Sequence, residues 1–163
     1  MNIMNIEHIS KIFGEKTIFD DASIGIQEGE KIGIVGINGT GKSTLLRMIA
    51  GDEVPDSGNI IRQNQLKLAW LPQEPKFPEN ATILSYAGDD ETGWKVQSNL
   101  SQLGIMDYSM PIDQLSGGQK RKVALAKVLA QDFDVLLLDE PTNHLDSAMI
   151  RWLEDYLKNF SGT

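Results

Sequence analysis

The sequence predicts an α/β domain with a mostly parallel sheet, an antiparallel β section and a short helical section. Three observations carry this. Short apolar runs rich in β-branched residues alternate with segments of helical spacing. Two N-terminal stretches alternate apolar and polar residues, as half-buried antiparallel strands do. A glycine-rich loop joins one apolar run to a helix, which is a strand–loop–helix unit.

The elements follow in order. Residues 3–9 and 17–26 are the alternating strands. KIGIVGI, 31–37, reads as a buried strand entering a tight loop. TLLRMIAG, 44–51, has Leu45, Met48 and Ile49 at helical spacing and stops at Gly51. DEVPDSG is a turn, and NIIRQ and LKLAWL are further short strands. PQEPKFPEN holds three of the six prolines and is extended loop. DDE, 89–91, reads as a solvated charge cluster. Residues 92–104 form a helix with Val96, Leu100 and Leu103 on one face, and 116–131 form a second. DVLLLD is a buried, parallel, central strand, and 147–160 an amphipathic helix through Ile150, Leu153 and Leu157.

Composition narrows the function classes. The net charge of −8, from 23 acidic against 15 basic residues, repels nucleic acid in bulk, so contact with it needs a local basic patch. There is no cysteine, which removes disulfides and thiolate metal sites. No apolar run reaches the ~20 residues a membrane helix needs. MNIMNIEHIS lacks the basic-then-apolar order of a signal peptide, so the expected location is cytoplasmic.

GINGTGKST, 36–44, fits G-x-x-x-x-G-K-[ST] through Gly36, Gly41, Lys42 and Ser43. Gly39 and Gly41 can adopt backbone angles closed to other residues, so successive N–H groups can point at one oxyanion. The following helix adds its positive end. Lys42 can reach β- and γ-phosphates, and the Ser43 hydroxyl can ligate Mg²⁺. The loop alone does not choose between ATP and GTP. It makes the fold a P-loop NTPase core.

The second apolar strand ends in Asp139 and Glu140. Beside a phosphate loop, Asp139 is placed to hold Mg²⁺, often through water. Glu140 points elsewhere and can orient or deprotonate an attacking water. LSGGQ, 115–119, opens the 116–131 helix, where Ser116, two glycines and the helix end offer another anion-binding surface. One chain with two phosphate cradles implies a second nucleotide or a partner domain.

With these motifs in order, the chain resembles an ATP-binding-cassette (ABC) domain along essentially its whole length. The resemblance makes Gly36 to Thr44 (with Gly36, Asn38, Gly39, Thr40, Gly41, Lys42, Ser43 and Thr44) the Walker A segment, Gln73 the Q-loop, Leu115 to Gln119 the signature, Val135 to Glu140 Walker B, and Leu145 and Asp146 the D-loop. It implies ATP and Mg²⁺ as ligands. It gives Phe13 to adenine stacking, and Gln73 to Mg²⁺ or water contact and γ-phosphate sensing. It assigns catalysis to Glu140, Lys42 and Gln73, and metal contact to Ser43, Gln73 and Asp139. It implies a head-to-tail pair in which Ser116, Gly117, Gly118 and Gln119 cap a partner's ATP, the partner being a second cassette or a second copy. His144 is not the catalytic histidine of that family.

EPTNHLD, 140–146, resembles the soluble ABC-F proteins, whose members act on ribosomes and carry two cassettes per chain. The opening ISKIFGEKTIFDDASIGIQEGEK looks like the first of the two. A transport ATPase subunit docked on a membrane partner is the rival reading, and a nucleotide-dependent interaction module without turnover is a third. The expected organisation is one cassette over 1–163. Residues 1–72 hold the antiparallel section and P-loop, 73–115 the Q-loop and a shortened helical section, and 116–163 the signature helix, Walker B strand and last helix.

Two departures from the family shape the expectations. Only 41 residues separate Gln73 from Leu115, too few for the longer helical arm that contacts the ribosome in some ABC-F relatives. After KNFSGT the family pattern continues with an apolar strand and a histidine that contacts the γ-phosphate. Without that strand, apolar surface and strand-edge groups stay open, which predicts marginal stability or self-association, and ATP binding with little turnover.

Overall fold

The computed structural model describes residues 1–163. The chain forms two compact units. The first holds Met1–Pro72, Phe133–Asp139 and Ser161–Thr163; the second holds Gln73–Asp132 and Glu140–Phe160.

In the first unit, β1 (Asn2–Phe13) and β2 (Lys16–Gln27) form an antiparallel hairpin closed at Gly14, whose φ of 59° needs no Cβ to avoid. β3 (Ser57–Arg62) pairs with the other edge of β1, giving the order β2-β1-β3. The strands are longer than their alternation implies, because bulges let the pattern slip. The β1–β2 register shifts between Ile6 and Ile9, and His8 and Asp21 both sit at φ 52°. Gly58, at φ 83°, abuts this irregularity: a Cβ there would lie 2.3 Å from the His8 carbonyl oxygen.

Helix α1 (Lys42–Ala50) ends as the sequence predicts. Gly51 at φ 96° turns its N–H back onto the carbonyls of Arg47 and Met48. β4 (Leu68–Leu71) and β5 (Val135–Leu138) pair in parallel. Ile6, Ile9, Met48, Ile49, Val135 and Leu137 join β1, α1 and β5 in one core.

Two expectations about these strands need correction. DVLLLD is parallel but not central, since β5 pairs with β4 alone and its side chains alternate between buried and half-buried. Residues 31–37 are not a buried strand. No strand pairs with them, and Val35 and Ile37 are 93% and 80% exposed. A β-branched run is buried only when ladders flank it. The nearest order is at its start, where the Lys31 ammonium donates to the Gly162 carbonyl and the Gly29 N–H donates to Thr163 Oγ1 at 2.8 Å. Thr163 in turn accepts from Leu136 N (2.8 Å) and donates to the Asp134 carbonyl (3.0 Å).

The second unit is helical: α2 (Ile83–Ala87), α3 (Glu91–Gln102), α4 (Gly117–Ala130) and α5 (Ser147–Asn159). α3 packs on α4 through Val96 and Leu100, as the spacing predicts, facing a helix apolar on most sides. Asp90, read from sequence as part of a solvated cluster, caps α3 by accepting from Gly93 N at 2.9 Å. Lys127 lays its stem across Tyr86, with the ammonium 4.1 Å from the ring centroid and donating to the Tyr86 carbonyl. α5 turns slightly from its predicted face: Met149 and Leu153 are buried, while Ile150 and Leu157 are half-buried.

Candidate functional site

The phosphate loop lies in the first unit. Its glycines take the angles the motif requires, φ 79° at Gly39 and φ 106° at Gly41. Gly41 is the N-cap of α1 and no side chain caps that end. The first-turn N–H groups, which include those of Ser43 and Thr44, have no side-chain acceptor there. They project with the helix dipole towards the loop. The Thr44 side chain is buried, so that residue offers its backbone, while the Ser43 side chain is half-buried.

Cations tie the loop's carbonyls. Lys42 donates to the Gly36 carbonyl, and Lys16, from the start of β2, donates to the Gly39 carbonyl. Thr40 Oγ1 donates to the Ile37 carbonyl. A Cβ on Gly41 would lie 2.3 Å from Ile18 Cγ2, so β2 presses directly on the turn. An uncapped helix end behind left-handed glycines, with two ammonium groups at the loop, fits a polyphosphate.

Asp139 closes β5, is 4% exposed, and donates its N–H to the Leu71 carbonyl at 3.0 Å. No cluster of three or more His, Cys, Asp or Glu side chains capable of caging a metal exists in the chain. A hard cation here fits the Mg²⁺ pattern of one or two protein oxygens completed by phosphate and water. Phe13, at the end of β1, is 44% exposed, with the Lys11 ammonium 5.1 Å from its ring centroid.

The second unit holds the remaining predicted residues. The Gln73 side chain is exposed. Its carbonyl accepts from Arg121 Nη1 at 2.7 Å, and the Glu140 carbonyl accepts from Arg121 Nη2 at 2.9 Å. One buried guanidinium thus brings Gln73 and Glu140 together. Glu140 itself sits at φ 49°, left-handed for a residue with a Cβ.

The signature segment forms a capping box on α4. Ser116 Oγ accepts from Gln119 N (3.2 Å), and Gln119 Oε1 accepts from Ser116 N (2.9 Å). The Ser116 side chain is exposed at this helix start. A Cβ on Gly117 would meet nothing within 4 Å. Gly118 lies against the backbone of His144. Asp146 caps α5, accepting from Met149 N at 2.8 Å, and stands 3.8 Å from the Lys122 ammonium.

Two residues at these sites, Lys16 and Arg121, are not announced by any motif. Lys16 gave no signal, because nothing in β2 announces its reach to the loop. Arg121 sits in a KRK run that reads as solvent-facing. Its signal was spacing: Arg121, Leu125 and Val128 share one helical stripe, and all three are buried.

A family profile described as ABC transporter matches residues 19–143. An uncharacterized ABC transporter ATP-binding protein of Bacillus subtilis, YfmR, is 37% identical, with 99% of this chain and 33% of YfmR covered. The ribosome protection protein VmlR of the same organism is 39% identical, over 99% of this chain and 27% of its own length. A chain from the complex of the archaeal ribosomal stalk protein aP1 with the archaeal ribosome recycling factor aABCE1 shares the fold at a TM-score of 0.78, with 30% identity, 100% of this chain and 33% of that one.

The chain belongs to the ATP-binding-cassette family, and its relatives include ABC-F proteins. It spans about a third or less of the length of these curated relatives. The match to YfmR runs over 206 positions, more than the 163 residues present, so YfmR carries inserted residues; the match to VmlR runs over 162. No helix is long and apolar enough to cross a membrane.

Proposed function

We propose that the chain is the ATP·Mg²⁺-binding cassette of an ABC-F factor. The parent protein hydrolyses ATP to ADP and phosphate while gating an interaction with the ribosome. The observation that carries the reading is the uncapped start of α1 behind two left-handed glycines. Gly36, Asn38, Gly39, Thr40, Gly41 and Thr44 line the phosphates with backbone N–H groups, and Phe13 stacks on adenine. Lys42 leaves the Gly36 carbonyl for the β- and γ-phosphates. Ser43, Asp139 and Gln73 hold Mg²⁺, which neutralises charge on the phosphate oxygens. Glu140 orients the attacking water. Ser116, Gly117, Gly118 and Gln119 act on the nucleotide of a second cassette paired head to tail. Catalysis here is positioning and electrostatics, so losing one element slows turnover more than it weakens binding. The working location is the cytoplasm.

The test is steady-state ATP hydrolysis over a range of protein concentrations, beside Glu140→Gln and Lys42→Ala. The reading predicts slow turnover that rises faster than linearly with concentration and vanishes in both variants. Linear turnover that survives Glu140→Gln would contradict it.

The likeness to VmlR supports the ribosomal reading, since that relative is a ribosome protection protein. The alternative is the ATP-binding subunit of a membrane transporter, favoured by the description of the matching family. Co-sedimentation with ribosomes, lost with ADP, supports the first; co-purification with a polytopic membrane protein supports the second.

A further inference from the structure

We propose that Arg121 is a positioning residue that holds Gln73 and Glu140 in one arrangement and couples that arrangement to the signature segment. The inference rests on the functional reading above and adds a regulatory link to it.

The geometry is specific. Arg121 is 4% exposed, so its charge is desolvated and must be met by acceptors. Two of these are backbone carbonyls from segments 67 residues apart in sequence, Gln73 at 2.7 Å and Glu140 at 2.9 Å. The planar guanidinium fixes the two carbonyls relative to each other, because its N–H groups diverge at set angles. A lysine has one nitrogen on a flexible stem and cannot span both in the same way.

Glu140 adds the second part. Its φ of 49° is a left-handed conformation that costs a residue with a Cβ about 1–2 kcal/mol and persists only where surroundings over-determine it. Its carbonyl is held from two sides, by Arg121 Nη2 and by Asn143 N at 3.2 Å. The direction of the Glu140 side chain follows from that backbone.

The third part is the origin of Arg121. It lies two residues beyond Gln119, in the opening turns of the helix whose first residues are the signature. At a rise of about 1.5 Å per residue, Arg121 lies within about 8 Å of the signature residues along one hydrogen-bonded helix. An anion drawing on Ser116 and Gly117 therefore pulls on Arg121, and through it on Gln73 and Glu140. Occupation of the signature becomes a signal to the water-orienting carboxylate without any side chain touching both.

The test compares wild type, Arg121→Lys and Arg121→Met by amide hydrogen exchange, ATP binding and turnover. Arg121→Lys keeps charge and much of the volume, so it stands in where Arg121→Met fails to fold. Support is amide exchange around residues 73–75 and 140–143 rising together, and turnover falling at least ~10-fold with the ATP dissociation constant within ~2-fold, the loss expected for one hydrogen bond from a charged donor. Unchanged exchange at both segments, or unchanged turnover despite faster exchange, overturns the inference. A wild-type chain that neither binds nor hydrolyses ATP defeats the functional reading instead. In that case the exchange result alone decides whether Arg121 holds the two carbonyls, and slow exchange that persists in Arg121→Lys rejects it.

Discussion

Gly118 lies so close to His144 that a Cβ on it would stand 2.8 Å from the His144 carbonyl oxygen, whereas one on Gly117 would meet nothing within 4 Å. The adjacent glycines therefore have separate reasons to be glycine. Gly118→Ala should destabilise the chain by about 1–3 kcal/mol, because backbone must move to admit the methyl. Gly117→Ala should leave thermal stability unchanged or raise it slightly, since alanine favours the helix by about 0.5–1 kcal/mol. It should nonetheless lower turnover if that open space receives a partner's phosphate. Melting curves beside hydrolysis rates separate the two; equal stability losses would show that both glycines serve packing.

Lys11 carries a pH-dependent contribution. Its ammonium lies 2.8 Å from Glu53 Oε1 and 3.5 Å from Asp56 Oδ1. The hydrogen bond to Glu53 is the main cause that raises the Lys11 pKa, and the same bond is the main cause that lowers that of Glu53. The lowered carboxyl contributes stability above the ordinary carboxylate range, lost as pH falls below about 4. The raised ammonium contributes below the ordinary lysine range, lost as pH rises beyond about 10.5. Denaturation midpoints of wild type and Glu53→Gln should differ near neutral pH and converge on acidification. A gap independent of pH would show that the pair contributes nothing as ions.

In the phosphate loop, the two glycines should respond differently to alanine. Gly39→Ala meets no atom within 4 Å, so only its φ of 79° is strained, at a cost of about 1–2 kcal/mol. Gly41→Ala adds a 2.3 Å clash with Ile18 Cγ2 and should cost more. Ile18→Ala should recover part of that loss, because it removes the clash and leaves the strain. Failure of the double variant to recover any stability would mean that β2 does not press on the turn.

The fold was legible wherever the determinant is local. Gly51 stops α1, Val96 and Leu100 face α4, and the loop and helix start carry their motif in the eight consecutive positions from Gly36 to Ser43. What was not legible depends on partners distant in sequence. Whether KIGIVGI is buried depends on flanking ladders, and no periodicity reports those. Asp90 is an exposed charge as read, but its capping role was not legible, because a cap is recognised only once the helix start is placed. The same holds for Arg121, whose two carbonyl partners come from opposite sides of a 67-residue stretch.

The exposed run 31–37 bears on association. Val35 and Ile37 present β-branched side chains to solvent beside backbone groups that no strand pairs. Exposed apolar side chains of this kind favour association between chains. Sedimentation velocity should show wild type self-associating with concentration, and Val35→Lys should weaken this without changing the melt. Identical sedimentation of the two at every concentration would place the contact elsewhere, or show that there is none.

The central claim is that the uncapped start of α1 and its glycine loop hold the phosphates of ATP. Calorimetric titration of the chain with ATP, with and without Mg²⁺, beside Lys42→Ala, tests it most directly. The account predicts binding that Mg²⁺ strengthens and that Lys42→Ala weakens at least ~10-fold, the loss of a charge-assisted bond. No heat of binding for wild type, or equal affinity for wild type and Lys42→Ala, would contradict it.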